Sequence, residues 1–466
     1  MAADATSAAH ASATLAAVYA SSGVPGIAAA VSVDGEVVWE EYLGLSDVEA
    51  AIPVTPETRF RIGSVSKAVT TVALSRLWQE GRIDLDADVR RYVPEFPGKD
   101  AVITPRLLAG HLGGIRNYEQ KDFADSSHID RRHFAETADA LAIFADDPLV
   151  ATPGHGYHYS VFGYTLLSAA MEGAARKRFL SLLDDLVIEP LDLGHTGADS
   201  AGIPGRAVAY ERSSEDGLSV AEPLDFSYKW AGGGLHSSVR DLARLGSALL
   251  EPDFLSPAAL ALLTTTQTTS SGESTEVGLG WRLGTDSRDR LFIHHAGNIS
   301  GGRAVVLLYP AQGVSVAITS NQALAPLMIE STAQVLAEAF LLGREGRRFT
   351  RMRPVASFEY TWMARGTEHA GSLRYCTDQA DDRIDLHPEL GQWAARLGSP
   401  LPEGGAPVLP MLQAGNTAFI PVITPAGAFA IDVVLGADDS LSGAVSGQYV
   451  RVAGPFQAER SDSICR

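Results

Sequence analysis

The sequence predicts a mixed α/β (α+β) fold: one antiparallel sheet flanked by helices, an inserted all-helical lobe, and a small β-rich C-terminal domain. Three observations carry this expectation. Two strand-like runs, residues 27–33 and 37–42, flank Asp34-Gly35, a strong two-residue hairpin signal. Three further strand-like runs, 291–295, 304–309 and 314–320, come much later in the chain. The long stretch between them, about 64–262, is dominated by helical periodicity. Strands at both ends of so long a segment imply one sheet assembled from distant pieces.

The elements follow in order. A helix is expected at about 11–20, before the hairpin, where it covers one face of the sheet. Phe60-Arg61-Ile62-Gly63 reads as a strand end turning into a helix. Val69, Val72, Ala73 and Leu77 then keep helical spacing up to Gly81, a C-terminal stop. Ser238-Val239-Arg240-Asp241 resembles a capping box opening a helix toward Leu250. The turn 310–313 joins the last two strands of the sheet, and a helical segment follows at 326–342. The stretch 344–354 is short, irregular and basic (Arg344, Arg347, Arg348, Arg351, Arg353) and reads as a linker. Beyond it, short strand patterns such as 417–423 and 429–435, separated by Gly/Pro/Asp turns, suggest a small barrel or sandwich. The expected division is 1–343 (sheet lobe about 1–62 and 263–343, helical lobe about 63–262), linker 344–354 and a β-rich domain over 355–466.

Size and composition narrow the function classes. A chain of 466 residues with 45% hydrophobic and 20% charged residues has the makeup of a soluble globular protein with a substantial core. A net charge of −19 argues against nucleic acid and anionic membrane surfaces as partners. No apolar run approaches the roughly 18 residues of a membrane-spanning helix. The first residues are Ala/Ser-rich without a basic start, so no intact signal peptide is read here. Cys376 and Cys465 are the only cysteines and fit no metal pattern. They are either two free thiols or a disulfide, and the latter would imply an oxidising compartment. A periplasmic or secreted location is taken over a cytoplasmic one. No metal and no cofactor is expected.

Ser64-Val65-Ser66-Lys67 is the most informative motif. Spaced three apart, Ser64 and Lys67 share one helix face, so an amine sits beside a hydroxyl and can activate it without histidine. Only five lysines occur in the chain, and Lys67 falls inside an apolar-periodic segment, where a charge is costly unless paired or functional. Ser64 also stands at a helix N-terminus, which favours developing negative charge. Three other segments stand out: Pro153 to Tyr164 with its run of histidines and tyrosines, Trp230-Ala231-Gly232-Gly233-Gly234, and His294-His295-Ala296-Gly297-Asn298 followed by Gly301-Gly302. Singly, each has a plain structural reading: Tyr159 as a core aromatic, the glycines as a tight turn, His295 as a satisfied strand histidine. His294 points to the opposite face from His295 and is read as structural.

Together, in this order, these segments resemble the serine β-lactamase and penicillin-binding-protein superfamily in its class C-like branch. That branch includes family VIII carboxylesterases, D-amino-acid peptidases and the mitochondrial serine β-lactamase-like protein with its bacterial relatives. The likeness covers about 23–342. The stretches 104–118 (TPRLLAGHLGGIRNY), 159–167 (YSVFGYTLL) and 227–234 (SYKWAGGG) look most like the mitochondrial type. The resemblance implies an active site between a sheet lobe and a helical lobe. It assigns Ser64 as nucleophile, Lys67 as the lysine of its proton network, and Tyr159 as the second-motif tyrosine. His295-Ala296-Gly297 matches the third motif, and the backbone N–H groups of Ser64 and Asn298 match the oxyanion hole. Gly297, Asn298, Val161 and Trp230 are expected at the substrate. A positive Lys67 is expected to favour a Tyr159 phenolate, which then takes the Ser64 proton.

Two departures bear on substrate. Val161 stands where the family's Tyr-x-Asn carries an amide, and valine cannot hydrogen-bond a substrate amide. His295 replaces the lysine of Lys-Thr-Gly, and a neutral imidazole is a weaker anchor for a β-lactam carboxylate. The expected function is therefore a metal-independent serine hydrolase forming an acyl-enzyme on Ser64, acting on a small-molecule ester, amide or short peptide. The alternatives are a β-lactamase or D-alanyl-D-alanine carboxypeptidase and, outside enzymes, a structural or filament-forming protein on an inactive hydrolase fold. Relatives of the mitochondrial type form filaments, so self-association is also implied. No Gly-x-Ser-x-Gly occurs, which excludes the α/β-hydrolase reading.

Overall fold

The chain is described by a computed structural model for residues 5–124, 128–213, 217–352, 356–364, 367–375, 382–385, 405–438, 440–446 and 454–461. Cys376, Cys465 and Arg353 lie outside the described residues.

The Asp34-Gly35 turn forms as its residue types dictate. Both residues take positive φ (49° and 89°), the geometry that matches the twist of a two-residue hairpin. It joins strands Gly26–Val33 and Glu36–Asp47. Gly26–Val33 pairs on its other side with Val314–Ser320, which brings the ends of the first 320 residues together. Gly302–Tyr309, Leu291–Ile299 and Arg282–Thr285 follow in turn, and the short Ile52–Pro53 closes the opposite edge. All seven strands are antiparallel to their neighbours.

Both faces of this sheet are covered, so its central strands are buried throughout. Ile27, Ala29, Val31, Val305, Leu307 and Val316 face a core shared with helices Ala5–Ser22 and Ile329–Arg344. The alternate residues Ala28, Ala30, Val306, Leu308 and Ala317 face helix Val239–Ala248 and the inserted lobe. Close packing of that helix needs Gly246, where a Cβ would lie 2.0 Å from Ser315 Oγ.

The inserted region is helix-dominated, led by Val65–Gln79 and Val161–Ala175. It is not all-helical as expected. Leu235–Ser237 pairs with Phe60–Arg61 and with Gly197–Ala198, a small sheet that fixes the approach to Ser64, and Tyr210–Ser213 pairs with Gly217–Val220. Strands this short give no period-2 signal, so the sequence hides them.

Beyond Thr350 lies a ten-stranded antiparallel sheet containing Thr417–Thr424 and Gly427–Leu435. An isolated bridge between Val408 and Val422 curls it around its own apolar core. This sheet docks on helix Ile329–Arg344: Ala428 N donates to Thr332 Oγ1 at 3.0 Å, and Met328 N donates to the Ala426 carbonyl at 2.7 Å. Among the described residues, no helix is long and apolar enough to cross a membrane.

Candidate active site

Three separate pieces of chain meet around Ser64. The first is the turn into helix Val65–Gln79. Gly63 has φ +50°, a left-handed conformation that suits glycine, and releases the chain from the Phe60–Arg61 strand into the helix. Ser64 is the N-cap, yet its side chain makes no capping hydrogen bond. Its hydroxyl is turned to other partners. Tyr159 OH lies 2.6 Å from Ser64 Oγ, and Lys67 Nζ lies 3.4 Å from the same oxygen. Lys67 is completely buried one turn into the helix, and its amine donates to the Gly232 carbonyl. The Lys67 nitrogen also sits 4.7 Å from the centre of the Tyr159 ring.

The second piece holds Tyr159 on an extended segment immediately before helix Val161–Ala175. Ser160 caps that helix by accepting from Gly163 N at 2.8 Å, and its hydroxyl donates to the Arg116 carbonyl at 2.7 Å. Val161 N donates to Asn117 Oδ1 at 3.0 Å. His111 packs its ring 4.4 Å from that of Tyr159.

The third piece is the strand Leu291–Ile299. It must approach the Ser64 turn closely, and Gly297 makes this possible. A Cβ at 297 would lie 1.9 Å from the Ile62 carbonyl oxygen and 2.9 Å from Ser64 N. A Cβ at Gly63 would lie 3.1 Å from the Asn298 backbone. The backbone of Asn298 is thereby pressed beside the Ser64 turn. Arg61, paired with Asp199 at 2.7 Å, donates to the Ser300 carbonyl at 2.9 Å and anchors the chain just beyond.

A cavity of about 300 Å³ opens from Ser64, bordered by Tyr159, Val161, Asn298 and Lys229. Of the residues expected at the substrate, Ser64, Val161 and Asn298 border it. Gly297 supports it from behind. Trp230 does not line it; its ring packs against Gly234, where a Cβ would meet Trp230 Cε3 at 2.8 Å. Its neighbour Lys229 faces the cavity instead, 3.3 Å from Asp130 Oδ1, which also accepts from Tyr228 OH at 2.9 Å. Rings of Phe226, Tyr228 and Tyr118 lie 4.4, 4.9 and 5.3 Å from the Lys229 nitrogen. The sequence reading missed this pair; a lysine in a chain with only five was its one visible signal.

Electrostatics bear on the expected proton assignment. Burial first, and then the Arg282 charge, hold Lys67 well below the usual lysine range. Burial pushes the Tyr159 phenol above 10, against the Ser64 hydrogen bond and Arg282, which both lower it. Desolvation thus works against both charged forms expected from sequence, the Lys67 ammonium and the Tyr159 phenolate. Burial, then Lys67 and Arg282, hold His295 well below the ordinary histidine value, which keeps its imidazole neutral. Its Nδ1–H donates to the Ala296 carbonyl at 2.8 Å, which leaves Nε2 as an acceptor. It therefore cannot replace a permanent cation as a carboxylate anchor. Lys229 is lowered to about 8 by burial, against the opposing pull of Asp130. His294 is fully buried on the opposite face, with its ring 5.6 Å from Phe292.

The chain is similar to several known proteins. The beta-lactamase family model matches residues 11–339. The human mitochondrial serine beta-lactamase-like protein LACTB is 30% identical over 381 residues, covering 62% of this chain and 70% of that protein. Esterase EstB of Burkholderia gladioli is 30% identical over 295 residues, covering 56% of this chain and 74% of the esterase. A solved D-stereospecific amidohydrolase from Streptomyces sp. has a TM-score of 0.60 and 26% identity, covering 72% of this chain and 99% of that one.

Proposed function

Because the chain belongs to the beta-lactamase family of serine hydrolases, we propose that it hydrolyses carboxylic esters and amide or peptide bonds through an acyl-enzyme on Ser64. The observation that carries this is the Ser64 hydroxyl held 2.6 Å from Tyr159 OH and 3.4 Å from an amine whose hold on its proton burial weakens. An amine that has shed its proton has a lone pair and is a base; an ammonium is not.

The steps follow from that assignment. Ser64 Oγ attacks the substrate carbonyl while Lys67 accepts the hydroxyl proton. The oxyanion of the tetrahedral intermediate faces the N–H groups of Ser64 and Asn298, each worth about 10²–10³ in rate by analogy with measured oxyanion donors. Tyr159 gives its phenol proton to the departing alcohol or amine and recovers one from the Lys67 ammonium. Water enters as the product leaves, loses a proton to the same pair and attacks the ester; that proton then returns to Ser64. General acid–base transfer of this kind contributes on the order of 10²–10⁴.

Val161 and the neutral His295 favour esters and amides over β-lactams, since neither supplies the amide nor the cation that such a substrate would use. The likeness to a D-stereospecific amidohydrolase supports including D-amino-acid amides among the substrates. The test is a panel of p-nitrophenyl butyrate, a D-amino-acid amide and nitrocefin, with wild type and Ser64→Ala. Wild type is expected to turn over the ester with a burst, and Ser64→Ala to lose at least about 10³-fold. A fluorophosphonate adduct should map to Ser64 by mass spectrometry. Equal ester hydrolysis by the two proteins, or labelling elsewhere, refutes the proposal.

A further inference from the structure

His111 touches the site without a place in the chemistry above. It is buried, and its backbone is left-handed at φ +61°, uncommon outside glycine. Two of its polar groups, the carbonyl and Nδ1, go to the segment that carries Tyr159. Its carbonyl accepts from His158 N at 2.8 Å, and its ring Nδ1 accepts from Ser160 N at 3.2 Å. The residues on either side of Tyr159, His158 and Ser160, are therefore both held by His111 through their N–H groups. The imidazole also packs on the phenol ring, with centroids 4.4 Å apart and planes at 38°. Tyr157 and Tyr164 complete the enclosure at 5.5 and 5.3 Å.

We propose that His111 is a positioning residue for Tyr159, clamping the chain at 158 and 160 so that the phenol oxygen stays within hydrogen-bonding distance of Ser64. This rests on the proton role given to Tyr159 above. A backbone N–H can only donate, so Nδ1 must keep its lone pair, and the ring proton sits on Nε2. A doubly protonated ring would set an N–H against the Ser160 N–H and break the clamp. Burial first opposes that protonation, and the Arg282 charge on the sheet adds to it; Lys67 on its helix and His295 on the sheet also face the ring, and a proton on either would oppose it further. Together they hold His111 well below the usual histidine range.

Two variants separate the side chain from the strained backbone, because both tolerate positive φ. His111→Asn keeps an acceptor close to the Nδ1 position. His111→Gly removes the acceptor and the ring. Kinetics on p-nitrophenyl butyrate are normalised to active sites by fluorophosphonate titration, so misfolded protein is discounted. His111→Gly is expected to lose kcat by about 10²-fold, the cost of an approximately 1 Å misplacement, with KM within about threefold. His111→Asn is expected to recover to within about tenfold of wild type. If His111→Gly does not fold, His111→Gln, whose acceptor lies one bond too far, replaces it with the same expectation. Wild-type kcat in the Gly or Gln variant overturns the inference, as does an equal fall in all variants carried by KM. Ser64→Ala runs alongside. Should it stay active, the reading of the nucleophile fails; should it be inactive while His111 proves dispensable, the positioning role alone fails.

Discussion

Gly297→Ala tests whether close approach of the strand Leu291–Ile299 to the nucleophile turn builds the site. The new Cβ would begin 1.9 Å from the Ile62 carbonyl oxygen, whereas Cβ contacts under 3.0 Å are essentially never seen. The strand must therefore open from the turn by about 1.1 Å. The obstructing atoms are backbone, Ile62 O and Ser64 N, and cannot rotate aside as a flexible side chain would. The opening separates the Asn298 N–H from the Ser64 N–H, the two donors proposed above for the oxyanion. A displacement of this size costs about 10²-fold in rate, and the overpacking costs about 1–3 kcal/mol of stability. The loss should fall on kcat, because the donors act on charge that develops only in the transition state. Steady-state kinetics on p-nitrophenyl butyrate, with active sites titrated and urea unfolding run alongside, measure both quantities. A variant with kcat within about threefold of wild type would show that this contact does not set the oxyanion geometry.

Four further outcomes follow from the same structure. Lys67→Arg places a cation that stays protonated at the nucleophile and should cost on the order of 10²–10⁴ in kcat/KM; retained activity would exclude the amine as base. In wild type, activity should rise with pH as the Lys67 ammonium loses its proton, and the rise should be complete well below 10.5. Between the folded-state pKa and 10.5 the unfolded chain binds the extra proton, so the Lys67 contribution to stability also rises with pH there; a pH–rate profile climbing only near pH 10 contradicts the assignment. Asp130→Asn leaves the buried Lys229 without its counter-charge and should cost about 3–5 kcal/mol in urea unfolding, while Asp130→Asn with Lys229→Met should recover most of it. Val161→Asn returns an amide to the cavity wall and should raise the nitrocefin-to-ester rate ratio about tenfold, the value of one hydrogen bond of about 1.4 kcal/mol; an unchanged ratio removes Val161 as a determinant.

The main sheet was legible because its signals are local. Asp34-Gly35 fixes a hairpin through backbone preference alone, and the apolar runs at 304–309 and 314–320 appear as strands Gly302–Tyr309 and Val314–Ser320. The helix following Ser64 was readable from spacing, as was the cap at Ser238, whose Oγ accepts from Asp241 N at 3.1 Å. The short pairing of Leu235–Ser237 with Phe60–Arg61 was not, since two or three residues carry no period.

The sequence by itself determined which groups are present: a serine and lysine one helical turn apart, a tyrosine far along the chain, and glycines wherever backbones must touch. Covalent spacing and residue type are enough for that. Only the tertiary structure decided which way burial moves the Lys67 and Tyr159 proton affinities, the turn of Lys229 rather than Trp230 toward the cavity, and the grip of His111 on both sides of Tyr159. Those depend on desolvation and on contacts between residues distant in sequence. The free energy of a charge or a hydrogen bond is set by what surrounds it in three dimensions.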